Sequence, residues 1–196
     1  MSHRIVFMGT PDFAVPCLEA LVSEGFELCA VLTRPDCARG RGRQCLPPPV
    51  KVAAQGHGLR VLQPEKLRTA EMLAELTELA PDFFVVVAYG KILSPKFLAV
   101  PRIAPVNVHA SLLPRLRGAA PIHWAVIRDE AQSGISIMKM EAGLDTGPVY
   151  CSEAIPLAVD ETAGTLHDKL ALMGARMLPA ALRQIAAGLQ PSEQAH

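Results

Sequence analysis

Apolar residues arrive in short blocks separated by turn-forming residues. Ile5-Val6-Phe7-Met8 predicts a buried strand over residues 4–8, stopped by Gly9-Thr10-Pro11. Pro11 and Asp12 suit the first turn of a helix whose apolar face is Leu18, Leu21 and Val22. Similar apolar blocks predict strands over 28–33, 60–63, 82–88, 104–108, 134–140 and 149–157. Helical spacing marks 69–79, 122–128 and 162–189. In the last of these, Leu166, Leu170, Met173 and Met177 share one stripe, and Pro179 is expected to kink or break the helix.

Strands alternating with helices predict an α/β fold with a mainly parallel sheet. In such sheets the ligand crevice lies beyond the C-terminal strand ends. Gly9, Tyr89 and His109 all fall at such ends, so three separated stretches should border one cleft. No internal repeat or low-complexity segment interrupts the pattern.

With 196 residues, half of them apolar, the chain can build one domain with a large core, or a domain and a short appendage. A formal net charge of zero excludes a global electrostatic grip on nucleic acid but not a local patch. Such a patch is present over 34–51, where Arg34, Arg39, Arg41, Arg43 and Lys51 face a single acid, Asp36. Gly40 and Gly42 interrupt the arginines and Pro47-Pro48-Pro49 follows, so we expect a flexible basic loop on a stiff proline anchor, suited to phosphate contacts. The five cysteines are odd in number and include no Cys-x-x-Cys pair, which argues against a disulfide scaffold or structural zinc and for a reducing, cytoplasm-like compartment. The first strand leaves no room for a signal peptide, and no apolar run approaches the ~20 residues a membrane span needs.

Residues 106–147 carry the candidate chemistry. Asn107 and His109 are two residues apart at a strand end, so period-2 alternation turns both side chains to one side of the sheet. Asp145 lies between Gly143 and Gly147, which let the chain bend back toward His109. An amide, an imidazole and a carboxylate suit stabilising and deprotonating a tetrahedral intermediate in acyl or formyl transfer. A serine hydrolase is disfavoured, because Ser111 is no Gly-x-Ser-x-Gly elbow and is poorly placed for activation by His109. A nicotinamide site is disfavoured because Pro11 stands where Gly-x-Gly-x-x-Gly needs its second glycine. His123 and His167 have no ligand-like spacing; His167 is expected on a helix surface or in the core.

Six stretches together resemble the methionyl-tRNA formyltransferase family of the folate-dependent formyltransferase superfamily. They are Gly9-Thr10-Pro11-Asp12-Phe13-Ala14, Arg41-Gly42, Val87-Ala88-Tyr89-Gly90, the run from Asn107 to Pro114, Gly118-Ala119-Ala120-Pro121-Ile122 and Gly143-Leu144-Asp145-Thr146-Gly147. The resemblance runs from Arg4 to about Leu189. It implies a Rossmann-like three-layer α/β/α fold with a mostly parallel seven-stranded sheet and one antiparallel strand. It also implies a formyl donor, 10-formyltetrahydrofolate, and an acceptor, the α-amine of initiator methionyl-tRNA, with no metal.

Asn107, His109 and Asp145 match the family's catalytic trio. Ser111, Leu112, Leu113 and Pro114 match its folate segment, with Tyr89 beside it. Arg41 matches a tRNA-recognising arginine, and Arg39 and Arg43 flank it. Leu116 departs from the family by standing where an aromatic residue is usual, and Cys37 and Arg39 are additions to the loop. Residues 1–189 are expected to form the catalytic domain and 190–196 the start of a linker, because the family continues into a C-terminal β-barrel-like domain that helps hold tRNA. We therefore expect a fragment of a longer, monomeric, cytoplasmic or organellar-matrix protein.

In the expected mechanism a neutral amine attacks the formyl carbon. Asn107 and protonated His109 stabilise the oxyanion, one such donor being worth ~3 kcal/mol. Asp145 holds His109 and takes the amine proton. Two alternatives share these residues: a formyltransferase or hydrolase acting on a small molecule, which would not need the basic loop, and a non-catalytic folate- or tRNA-binding fragment.

Overall fold

The computed structural model describes residues 3–39 and 44–195. Its elements are β1 (Arg4–Gly9), α1 (Val15–Ser23), β2 (Glu27–Leu32), β3 (Cys37–Arg39), β4 (Gln44–Leu46), α2 (Pro49–Gly56), β5 (Val61–Leu62), α3 (Ala70–Glu78), β6 (Phe83–Val87), α4 (Pro95–Leu98), β7 (Ala104–His109), α5 (Pro121–Ile127), β8 (Gln132–Lys139), β9 (Val149–Pro156) and α6 (Ala163–Ala186).

Seven strands form one sheet in the order β5-β2-β1-β6-β7-β8-β9. β1, β2, β5, β6 and β7 pair in parallel, whereas β8 runs antiparallel to both β7 and β9. The expected single antiparallel member is therefore β8. β1 and β6 lie at the centre, which explains their unbroken apolar runs: both faces are covered, so neither face selects polar residues.

Period-2 alternation splits the core in two. Ile5, Phe7, Phe83, Val85, Val106 and Val108 face α1 and α6, through Cys17, Leu18, Leu21, Leu170 and Leu178. Val6, Met8, Ala30, Leu32, Phe84 and Val86 face Leu76 of α3 and Phe97 of α4. Gly174 lets α6 approach the sheet, because a Cβ there would lie 3.0 Å from Val108 Cγ1 and 3.5 Å from Cys17 Sγ.

The structure corrects four expectations. The first helical turn is a separate 3₁₀ turn at Asp12–Ala14, and α1 starts after it with Pro16 in its first turn. Pro179 does not break α6, which runs unbroken for 24 residues; Leu178, Ala181 and Leu182 are buried around it, and their packing offsets the lost hydrogen bond. The basic stretch is not simply a loop on a stiff anchor. Its flanks pair as the antiparallel ribbon β3–β4. The prolines then start α2, where Pro49 supplies a preset helical φ and Val50 and Ala54 supply a buried face. Arg41 and Arg43 lie outside the described residues; Arg39 ends β3.

Candidate active site

Asn107 and His109 project from the end of β7 on the face opposite Val106 and Val108, and both are nearly buried, at 9% and 6% exposure. Loops roof this part of the sheet. Because β8 is antiparallel, the 140–148 connection leaves beside the start of β7, where Met140 N–H donates to Pro105 O at 2.8 Å. It then returns across the face and delivers Asp145.

The Asp145 carboxylate collects donors. Gly118 N–H donates to Oδ2 at 2.9 Å, Asn107 Nδ2 lies 3.4 Å from Oδ1, and His109 Nδ1 lies 3.7 Å from Oδ2. The first is a full hydrogen bond, the second is weak, and the third is an ion-pair contact without one. On the far side of the ring, His109 Nε2 faces Leu116 O at 3.1 Å. A carbonyl only accepts, so Nε2 is the nitrogen that bears a proton in either charge state that donates here.

The turns that deliver these groups use left-handed backbone. Asp145 itself has φ 52°, Leu116 has 56° and Gly118 has 92°. Asp tolerates this region better than most residues, and such backbone gathers at functional sites. Gly147 permits the return of the loop: a Cβ there would fall 2.0 Å from Lys139 O.

The segment after His109 is pinned from beneath. Ser136, level with His109 on β8, is fully buried. Its hydroxyl donates to Ser111 O at 2.8 Å, accepts from Leu113 N–H at 3.1 Å and meets Ser152 Oγ at 2.9 Å. Ser111 Oγ donates to Arg115 O at 2.6 Å, closing the turn. Leu112 rests on Gly134, where a Cβ would lie 2.6 Å from Leu112 Cδ2. Ser111 is buried, Leu112 and Leu113 are half-buried and Pro114 is exposed. Ser136 was not singled out from sequence; its signal was only a polar position inside an apolar strand.

Tyr89 follows β6 as expected, but its ring lies in the second core layer at 1% exposure, with Leu76 and Phe97. Burial pushes its phenol up to about 12. What it presents toward the strand ends is backbone: its carbonyl accepts from Thr10 Oγ1 at 2.9 Å, tying the end of β1 to that of β6.

Beside these ends lies a cavity of about 370 Å³ lined by Thr10, Arg34, Pro35, Asp36, Cys37, Glu65 and Lys91. Hydrogen bonds from Lys51 and Gln63 hold the Asp36 carboxyl below its usual range. Partial burial, then the nearby Arg34, lower Lys91, whose ammonium is held by the carbonyls of Pro64 and Glu65.

His167 packs edge-on against Phe13 and its Nε2 lies 3.4 Å from Asp12 Oδ1. With His123 it borders a separate cavity of about 650 Å³. Among the described residues no group of three or more His, Cys, Asp or Glu is placed to hold a metal ion.

A mostly parallel sheet whose β7 ends in Asn107 and His109 facing a returning Asp145 is an arrangement suited to acyl or formyl transfer. The sequence matches the formyl transferase family over residues 3–182, and the chain belongs to that family. It is 57% identical over 188 residues to the methionyl-tRNA formyltransferase of Halorhodospira halophila and 52% identical over 188 residues to that of Pelotomaculum thermopropionicum. Each match covers 96% of this chain and 60% of the relative, so the chain spans about three fifths of the length of these curated relatives.

Among solved structures, phosphoribosylglycinamide formyltransferase from Bacillus halodurans superposes with a TM-score of 0.76 at 22% identity, covering 95% of this chain and 97% of that one. The N-formyltransferase from Helicobacter canadensis, solved with folinic acid and dTDP-3-aminofucose, superposes with 0.76 at 20% identity, over 100% of this chain and 68% of that one. These likenesses establish the fold.

Proposed function

We propose that the chain transfers a formyl group from 10-formyltetrahydrofolate to the α-amine of methionyl-tRNA, the step that prepares the initiator for translation. The observation that carries this reading is the convergence of Asn107, His109 and Asp145 on one face of β7, within 3.7 Å of one another through the carboxylate. Identities of 52% and 57% to enzymes named for methionyl-tRNA favour this acceptor over a small one.

The residues present fit a folate donor. Leu112 is braced by Gly134, Leu113 is fixed by Ser136, and Leu144, beside Asp145, leaves an apolar side chain 66% exposed. A flat heteroaromatic ring would cover such a surface, with backbone groups of residues 111–114 at its edge. When bound, the donor supplies the formyl group on its N10.

The chain's own residues then do the following. Asn107 has a second amide N–H to offer a developing oxyanion, and a protonated His109 offers another donor from the adjacent position; one preorganised donor contributes ~3 kcal/mol. The carboxylate of Asp145 holds the imidazolium by charge and takes the proton that the attacking amine must lose, directly or through a water. The same Asp145–His109 pair returns a proton to the departing nitrogen. Gly118 N–H keeps one carboxylate oxygen in place throughout.

Arg39, Arg41 and Arg43, with Arg34 at the neighbouring cavity, are assigned to the tRNA phosphates. We further assign residues 1–189 to the catalytic domain and 190–196 to the start of a connection to a second, tRNA-holding domain. The protein is read as a monomer; the free Cys17, Cys29, Cys37 and Cys151 support the reading of a reducing compartment. No helix among the described residues is long and apolar enough to cross a membrane.

The deciding experiment is a steady-state assay of this chain with 10-formyltetrahydrofolate and either methionyl-tRNA or glycinamide ribonucleotide. Formylation of methionyl-tRNA alone is expected. Transfer only to the ribonucleotide would replace the acceptor, and no consumption of donor with either would overturn the reading.

A further inference from the structure

The strand-like segment after α6 holds a side chain that hydrogen-bonds both loops of the site. Ser192 pairs with Val149 through two backbone hydrogen bonds of 2.8 Å, which lays the segment along the start of β9. Two residues on, Gln194 reaches into the return loop. Its Nε2 donates to Asp145 O at 2.9 Å and to Gly147 O at 2.7 Å. Its Oε1 accepts from Arg117 Nε at 2.8 Å.

Arg117 stands between Leu116, whose carbonyl meets His109, and Gly118, whose N–H meets Asp145. One amide therefore joins the loop that carries the carboxylate to the loop that orients both the carboxylate and the imidazole. Neither loop is regular secondary structure, and Asp145 sits at φ 52°, a conformation that persists only when its surroundings over-determine it.

We infer that Gln194 is a positioning residue that holds the Asp145 loop closed against the 116–118 loop, so that docking of residues 190–195 onto β9 sets the geometry of the catalytic carboxylate. The chemistry is specific to an amide. Its donor end must face two carbonyls while its acceptor end faces a guanidinium. A carboxylate of equal size keeps the guanidinium contact and turns the two carbonyl contacts into oxygen–oxygen repulsions. The catalytic part of this inference rests on the formyl-transfer reading; the clamp itself does not.

The test therefore has two arms, both on the whole chain, comparing wild type with Gln194→Glu and Gln194→Ala. In the first arm, amide hydrogen exchange is followed by mass spectrometry. Peptides covering 143–148 and 116–118 should exchange about tenfold faster in both variants, while β1 and β6 keep wild-type protection. Unchanged exchange over both loops would overturn the clamp, whatever the activity.

In the second arm, kcat for transfer from 10-formyltetrahydrofolate to methionyl-tRNA should fall about 10- to 100-fold, with KM for the donor within about twofold, as expected when a reacting group is misplaced. Adding Gln194→Ala to Asp145→Asn should cost no further rate, because the effect passes through that carboxylate. A merely structural role would give additive losses, and wild-type kcat in a variant with faster loop exchange would overturn the positioning role. A wild-type chain without turnover would count against the formyl-transfer reading and leave exchange to decide the clamp.

Discussion

Asp145 Oδ2 lies 3.7 Å from His109 Nδ1, an ion-pair distance, while the same oxygen takes a hydrogen bond from Gly118 N–H. The carboxylate is thus anchored by backbone, not by the imidazole it faces. It can hold a charge opposite His109 without fixing the ring.

Asp145→Asn keeps the shape and removes the charge and the proton acceptor. kcat for formyl transfer should fall by about 10²- to 10⁴-fold. Donor affinity, measured by calorimetry, should stay within about threefold, because residues 111–114, to which donor binding is assigned by proposal, are supported by Ser136 instead. Turnover within about twofold of wild type would remove Asp145 from the mechanism.

Asn107→Ala deletes the amide aimed into the site from β7. Loss of one oxyanion donor predicts a fall in kcat of about 10²- to 10³-fold. The thermal midpoint should move little, since the one side-chain hydrogen bond Asn107 makes among the described residues is the weak 3.4 Å contact to Asp145. A large fall in midpoint with normal turnover of the remaining folded protein would assign Asn107 to structure.

Ser136→Ala tests the support beneath residues 111–114, the segment proposed to hold the donor. Removing the hydroxyl leaves Ser111 O and Leu113 N–H unpaired under a buried turn, at about 1–3 kcal/mol. Urea unfolding should show that loss, and KM for the donor should rise more than kcat falls. Unchanged KM would separate residues 111–114 from donor binding.

How much of this was legible differs by residue. The Asn107–His109 pair followed from strand periodicity alone, and two glycines marked Asp145 as able to return. Ser136 was hidden because a polar residue alternating with Ile135 and Ile137 reads as the wet face of a strand, whereas here the turn after β7 covers that face. Gln194 is 49 residues from the loop it holds, and no local pattern reports a contact at that separation. The hairpin β3–β4 and the helix α2 were missed because glycines and prolines signal loops, although a proline in the first helical turn is favourable. Pro179 departs from expectation for the opposite reason: local propensity yields to burial.

Cys17 offers a test of the core beneath the site. Burial pushes its thiol from an ordinary 9.0 up to about 12. The unfolded chain therefore loses this proton first, so the contribution to stability is whole below pH ~9 and is lost as pH rises toward ~12. Relative to Cys17→Ala, the wild type should lose on the order of 1 kcal/mol of unfolding free energy between pH 7 and pH 10. A difference between the two proteins that stays constant with pH would show that the thiol ionises in the folded state. At neutral pH, exposed Cys37 should alkylate while Cys17 stays unlabelled until urea is added.

The reversed direction of β8 divides the site between two kinds of support. Asn107 and His109 share one strand and move only as the sheet moves, so their mutual geometry is effectively a single inherited quantity. Asp145 hangs from a connection that starts at the opposite end of that strand. Lengthening or shortening residues 140–148 would therefore shift the Asp145 carboxylate alone, leaving Asn107 and His109 where they are. Such indels are the natural handle for separating, by engineering, the proton-transfer and oxyanion roles proposed for the two supports.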